Sequence, residues 1–227
     1  MKQNRRVKYL FGSRQILAEE QLDLYRQEGF LLVSGLIPPA VVECAHQAML
    51  AHIGNAQPAS RIEPIQHPSL LACFGRDVCS AAAQLAGSRR SLQPPSSIQA
   101  ISVLPTASVW QWPSPHIDHA HEKDAFRTFP APFRIGCLIY LNDVQEHAGG
   151  TIVWPGSHNQ IEALAAAHPH RYEYLSSLNR DIPTLHLRSP VEITAVAGDV
   201  FFHHRLCAHS GSMNAGMEPR LALNHKW

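Results

Sequence analysis

The stretch PRLALNHKW, residues 219–227, alternates. In an extended chain successive side chains point to opposite sides. Arg220, Ala222 and Asn224 therefore share one face, and Leu221 and Leu223 share the other. The same texture runs through the second half of the chain. SIQAISVLP, FRIGCLIYLND, GGTIVWPGS and PVEITAVAGDVFFHH are short, rich in Val, Ile and aromatic residues, and bounded by Gly, Pro or Asn. In VEIT, Val191 and Ile193 point one way and Glu192 and Thr194 the other. Many short strands separated by turn signals predict an antiparallel barrel or jelly roll.

The first third reads differently. AEEQLDLYRQEGF places Leu22 and Tyr25 at helical spacing and stops at Gly29. FLLVSGL, from Phe30, predicts a short strand. PPAVVECAHQAMLAHIG opens with prolines suited to a first helical turn; Val42, Ala45, Met49 and Ile53 mark one face, and Gly54 closes it. RDVCSAAAQLAG predicts another helix, stopped by Gly87. The expectation is one domain spanning 1–227: a helical part over about 15–90 and a β core over about 97–227. Residues 159–190 break the strand rhythm and predict one short helix followed by irregular chain. Loops of that length in compact domains are usually functional or mobile, so this segment is the candidate lid.

Composition narrows the classes. A chain of 227 residues, 45% hydrophobic and 16% charged, can bury a sizeable core. A formal net charge of +1 argues against nucleic acid as a partner. No stretch approaches the roughly 20 apolar residues needed to span a bilayer. The basic start, MKQNRRVKYLFGSR, lacks the apolar run of a signal peptide and reads as a solvated arm. The five cysteines form no C-x-x-C pair, which predicts reduced thiols in a cytoplasmic protein and weakens any structural zinc site. Oligomeric state is not legible.

PSPHIDHAH, residues 113–121, concentrates three histidines and an aspartate. His116 and Asp118 lie two apart, so on a strand both reach the same side. An H-x-D tripeptide alone is usually a surface turn, and a transition metal needs a further ligand. GDVFFHHRLCAHSGSMN offers His203, His204 and His209. Two imidazoles and one carboxylate on one face leave coordination positions open, as non-haem Fe(II) oxygenases require. Arg220 follows His209 by eleven residues on the alternating strand. Facing inward, its guanidinium needs an anion, and its planar fork suits a carboxylate. Facing outward, it makes a surface ion pair; alternation alone leaves both open.

Five segments in order carry a resemblance: YRQEGFLLVSGLIPPAVVE, HID, YLNDVQEHAGGTIVWPGSH, AGDVFFHHRLCAHSGSMN and PRLALNHKW. From about residue 20 to its end the chain resembles the phytanoyl-CoA dioxygenase family of Fe(II)- and 2-oxoglutarate-dependent oxygenases. The resemblance implies a mainly β (α+β) fold, a double-stranded β-helix (jelly roll, cupin-like) core with flanking N-terminal helices. It implies Fe(II), 2-oxoglutarate and O₂ as cofactor and cosubstrates. His116, Asp118 and His209 would hold the iron, and Arg220 the distal carboxylate of 2-oxoglutarate. Such families often place Lys or Gln on the strand before the metal pair; here Gln99 occupies it, and a solvated Gln99 is the competing reading. Thr151 and Ser212 are the candidate hydroxyl partners of the cosubstrate. With Asp118 present, hydroxylation of a small-molecule C–H bond is favoured over halogenation.

Two other classes remain open. One is a non-catalytic cupin-like metal- or ligand-binding protein. The other is a zinc hydrolase with Glu122 as base, although no H-E-x-x-H pattern exists and Arg220 would lack a role. His119 alternates away from His116, and His121 supports the ligands or belongs to the loop. His158 holds a turn by a hydrogen bond, Trp110, Trp112 and Trp154 are core filler, and Arg127 and Arg134 face solvent.

Overall fold

The computed structural model describes residues 15–53, 60–119 and 126–227. His121, Glu122 and Gly54 lie outside the described residues, as does the whole basic N-terminal arm. Helix α1 (Glu19–Glu28) opens with the Ala18 N–H donating to the Gln21 side chain and closes on Gly29, left-handed at φ 82°. Strand β1 (Phe30–Val33) follows at once, then α2 (Pro39–Ile53), which buries Val42, Ala45, Met49 and Ile53 as its spacing predicts. Strand β2 (Ser60–Ile65), the short α3 (Pro68–Leu71) and α4 (Arg76–Leu85) complete the first third. Past α4 the Ser88 N–H reaches back to the Ala83 carbonyl around Gly87, whose φ is +63°.

The second half supplies β3 (Ile98–Val103), β4 (Ile135–Tyr140), β5 (Thr151–Val153), α5 (Ser157–Ala167) and α6 (Leu175–Asp181). A 3₁₀ turn (Ile182–Thr184) leads to β6 (Val191–Ile193), β7 (Val200–His204), β8 (His209–Gly211) and β9 (Arg220–Lys226). Two antiparallel sheets result. One has six strands in the order β1-β7-β4-β9-β3-β2, and the other three, in the order β6-β5-β8. The fold is therefore mixed α and β, with both sheets antiparallel.

Three apolar layers follow from strand alternation. Leu221 and Leu223 of β9 join Cys137, Ile139, Val200 and Phe202 in a core shared with α1, α2 and α4. On the opposite face of the same strands, Ala222, Leu138, Tyr140 and Phe201 meet Val153 and Ile193 of the smaller sheet. Beyond that sheet, Ile152 and Trp154 pack against α5 and α6 through Ile161, Leu175 and Leu178. Cys73, Cys79, Cys137 and Cys207 are buried and free; Cys44 is exposed and free.

Three expectations change. The β core does not begin near residue 97, because β1 and β2 from the first third form the two edges of the larger sheet. Residues 159–190 hold two helices and a 3₁₀ turn rather than one helix and irregular chain, because Leu175, Leu178 and Ile182 find apolar partners. Val191 does not share the burial of Ile193: at the strand start it is 44% exposed.

Candidate metal and cosubstrate site

His116 and His209 exchange both backbone hydrogen bonds, at 3.0 and 2.9 Å. Such a pair in antiparallel strands puts its two side chains on one side. Their ring centroids lie 4.9 Å apart. Asp118, two residues on, returns to the same side, and its Oδ2 stands 3.7 Å from His209 Nε2. Ile117 between them turns away into the outer apolar layer, and its N–H donates to Asn179 Oδ1 on α6 at 2.8 Å. A helix of the 159–190 segment thus fixes the peptide between the two proposed ligands.

A third imidazole completes the cluster. His203 of β7 places Nε2 3.9 Å from Asp118 Oδ2 and its ring 4.5 Å from that of His209. The ligand atoms of Asp118, His203 and His209 all lie within 4.8 Å of one another. His203 fits because Gly136 faces it across the ladder, where any Cβ would overlap the imidazole. His116, Asp118 and His209 line one cavity, but the three ligand atoms that close up within 4.8 Å are those of Asp118, His209 and His203, not His116.

Burial sets the charge states. It lowers His116 to about 4 and His203 to about 3, each helped by the neighbouring His209. Burial alone would raise Asp118; His209 and Lys226 more than offset it and hold the carboxyl far below the usual range. Neutral imidazoles beside an ionised carboxylate are the donor set a divalent cation binds. Asp118 Oδ2 is buried without a hydrogen-bond partner.

These groups line a cavity of about 420 Å³. Arg220 lines it too. It is 4% exposed, its Nε donates to the Gly149 carbonyl at 2.8 Å, and its Nη1 has no partner. Burial lowers its pKa from the ordinary arginine value. Gly149, in the turn beside the arginine, has φ +80°, a left-handed conformation that favours glycine, and a Cβ there would meet Asn214 Cβ at 3.2 Å. Ser212 Oγ, also buried and unpartnered, lines the same cavity. Thr151 accepts from the Tyr140 hydroxyl at 2.9 Å, and Tyr140 is held protonated by burial. Gln99 is exposed; its Oε1 accepts from Asn224, and it is Asn224 that lines the cavity.

A family model, phytanoyl-CoA dioxygenase (PhyH), matches residues 63–222. The chain belongs to the phytanoyl-CoA dioxygenase family. None of the curated proteins matches the sequence. Among solved structures, this family member is similar to the non-haem α-ketoglutarate-dependent carbocyclase SnoK of nogalamycin biosynthesis. Identity is 20%, over 92% of this chain and 82% of that one, with a TM-score of 0.64. HygX from Streptomyces hygroscopicus, with nickel and 2-oxoglutarate bound, is 17% identical over 92% and 86% at a TM-score of 0.58. EctD from S. alaskensis, with 2-oxoglutarate and 5-hydroxyectoine, is 16% identical over 96% and 80% at a TM-score of 0.58. At these identities the likeness is one of fold.

The remaining polar residues of this family member take structural places. His158 Nε2 donates to the Arg26 carbonyl at 3.1 Å, with its ring under Gly29. Trp154 is core, whereas Trp112 is 54% exposed and Trp110 stacks on His147. Arg127 pairs with Glu173, and Arg134 is exposed. Sequence reasoning missed Tyr140, Asn179 and Lys226. Lys226 alone had a signal, its even spacing from Arg220 along β9. Among the described residues no helix is long and apolar enough to cross a membrane.

Proposed function

We propose that the chain is an Fe(II)- and 2-oxoglutarate-dependent oxygenase that hydroxylates a C–H bond of a small molecule. One observation carries this reading: a single cavity is lined both by a buried arginine with an unpartnered guanidinium nitrogen and by an aspartate with an unpartnered carboxylate oxygen among imidazoles. A buried charge without a partner is costly, so each orphan implies a ligand of opposite charge. The two sheets are read as the halves of a double-stranded β-helix, and the cavity as its interior.

The donor set fits the metal. His116, Asp118 and His209 would hold Fe(II), leaving positions for 2-oxoglutarate and O₂. The bound metal supplies O₂ activation coupled to oxidative decarboxylation of 2-oxoglutarate to succinate. The chain does the rest. Arg220 and Ser212 bind the far carboxylate, which orients the keto acid along the cavity. Thr151 is held by Tyr140 at its side. Ile101, Leu138 and Phe201 give the cavity an apolar lining that helps exclude water. The segment expected as a lid is better read, from its buried side chains, as the packed flank of the site.

A small-molecule substrate is supported by neighbours whose structures hold nogalamycin RO or hygromycin B. The test is anaerobic addition of Fe(II) and 2-oxoglutarate, then O₂ with a panel of candidate small molecules. The expected results are a visible charge-transfer band, then substrate-stimulated succinate and a product heavier by one oxygen. A missing band would favour a non-catalytic binding protein, and activity with zinc alone a hydrolase. Succinate release with a product that gains no oxygen would replace hydroxylation by cyclisation or epimerisation.

A further inference from the structure

Asp118 divides its two oxygens. Oδ2 is the orphan that faces His209 and His203, at 3.7 and 3.9 Å. Oδ1 lies 2.6 Å from the Lys226 ammonium. Lys226 is the last residue of β9, in register with Gly136, and its ammonium stands 5.4 Å from the centre of the Phe133 ring. The lysine is therefore steered by strand pairing and an aromatic face toward one carboxylate oxygen, and it leaves the other untouched.

We propose that Lys226 is a positioning residue that fixes Asp118 as a one-oxygen metal ligand. A free carboxylate can rotate about its terminal bond and offer either oxygen or both. Chelation through both would consume a coordination position that the keto acid or O₂ needs. An ammonium on Oδ1 removes that freedom and keeps Oδ2 aimed between the imidazoles. Partners behind metal ligands commonly set affinity in this way. The role also explains a cation beside a metal site: it balances the oxygen that the metal does not take. The inference rests on the metal-site reading above and adds to it a residue that touches neither metal nor cosubstrate.

The test is titration of the metal-free full chain with Co(II), followed by its d–d absorption, for unaltered protein, Lys226→Met and Lys226→Arg. Lys226→Met keeps the apolar stem over Phe133 and deletes the charge; it should weaken Co(II) binding roughly 10–100-fold and alter the band shape. Lys226→Arg should stay within a few-fold of the unaltered protein and keep its spectrum. Circular dichroism checks the fold; should Lys226→Met lose the unaltered spectrum, Lys226→Gln carries the same expectation. Equal or tighter Co(II) binding by the neutral variant overturns the role of Lys226 while leaving the site reading intact. Failure of the unaltered protein to bind Co(II) overturns both.

Discussion

In the proposed function, cosubstrate recognition turns on Arg220. It is buried, anchored by one bond to Gly149 and otherwise unpaired. Removing one partner of a buried charge pair costs about 2–5 kcal/mol, so Arg220→Ala should weaken 2-oxoglutarate binding roughly 30-fold or more. Arg220→Lys should fall between, because an ammonium cannot form the planar fork. Calorimetric titration of the metal-loaded protein measures both; an unchanged affinity in Arg220→Ala would remove the arginine from the site. Asp118→Ala and His209→Ala should each abolish stoichiometric metal binding. Comparing His116→Ala with His203→Ala then decides which imidazole is the second nitrogen ligand, and the proposal requires the larger loss from His116→Ala. Arg220 was legible because alternation offered an inward face and the other strands supplied a core to face. Lys226 shares its parity yet was not legible, because a lysine at a strand end ordinarily reaches water. It is the pairing of β9 with β4 that brings it to Asp118.

At the scale of elements, α6 and β4 shape the site from outside. Asn179→Ala leaves the Ile117 N–H unpaired, a cost of about 1–3 kcal/mol for a buried donor. It should lower the urea midpoint and loosen metal binding; a loss of stability with metal affinity intact would confine Asn179 to folding. Gly136→Ala forces a methyl into the His203 ring and should cost about 1–3 kcal/mol, the usual penalty of overpacking. Combining it with His203→Ala should recover most of that loss, which a double-mutant cycle in urea measures. Helix α2 was legible residue by residue, since a 3.6 period needs no tertiary information. Helix α6, LSSLNRD, was not: Ser and Asn are indifferent helix formers, and burial of Leu175 and Leu178 holds it. Strand β2, SRIEPI, was hidden by Pro64, a residue confined to positions such as this sheet edge.

Across the whole molecule, buried histidines set the response to acid. His158 and His204 lie 5.1 Å apart between ring centres, and burial lowers both, His204 to about 4 with help from His158 and Arg205. The unfolded chain takes up protons near the ordinary value of 6.5, while the folded chain resists until about 4. Stability is therefore full above 6.5 and falls as pH drops toward 4, where the unfolded state binds more protons. Urea midpoints across that window should decline, and His204→Asn should flatten the decline; an equal slope in the variant would assign the acid sensitivity elsewhere. The even spacing of Arg220 and Lys226 along β9 has a consequence for how this strand can change length. Gain or loss of one residue between them would leave either cation indoors and turn its counterpart out to solvent. Only insertions in multiples of two, or one taken up by a bulge, keep the pair together, so β9 can drift in whole pleats but not in half ones.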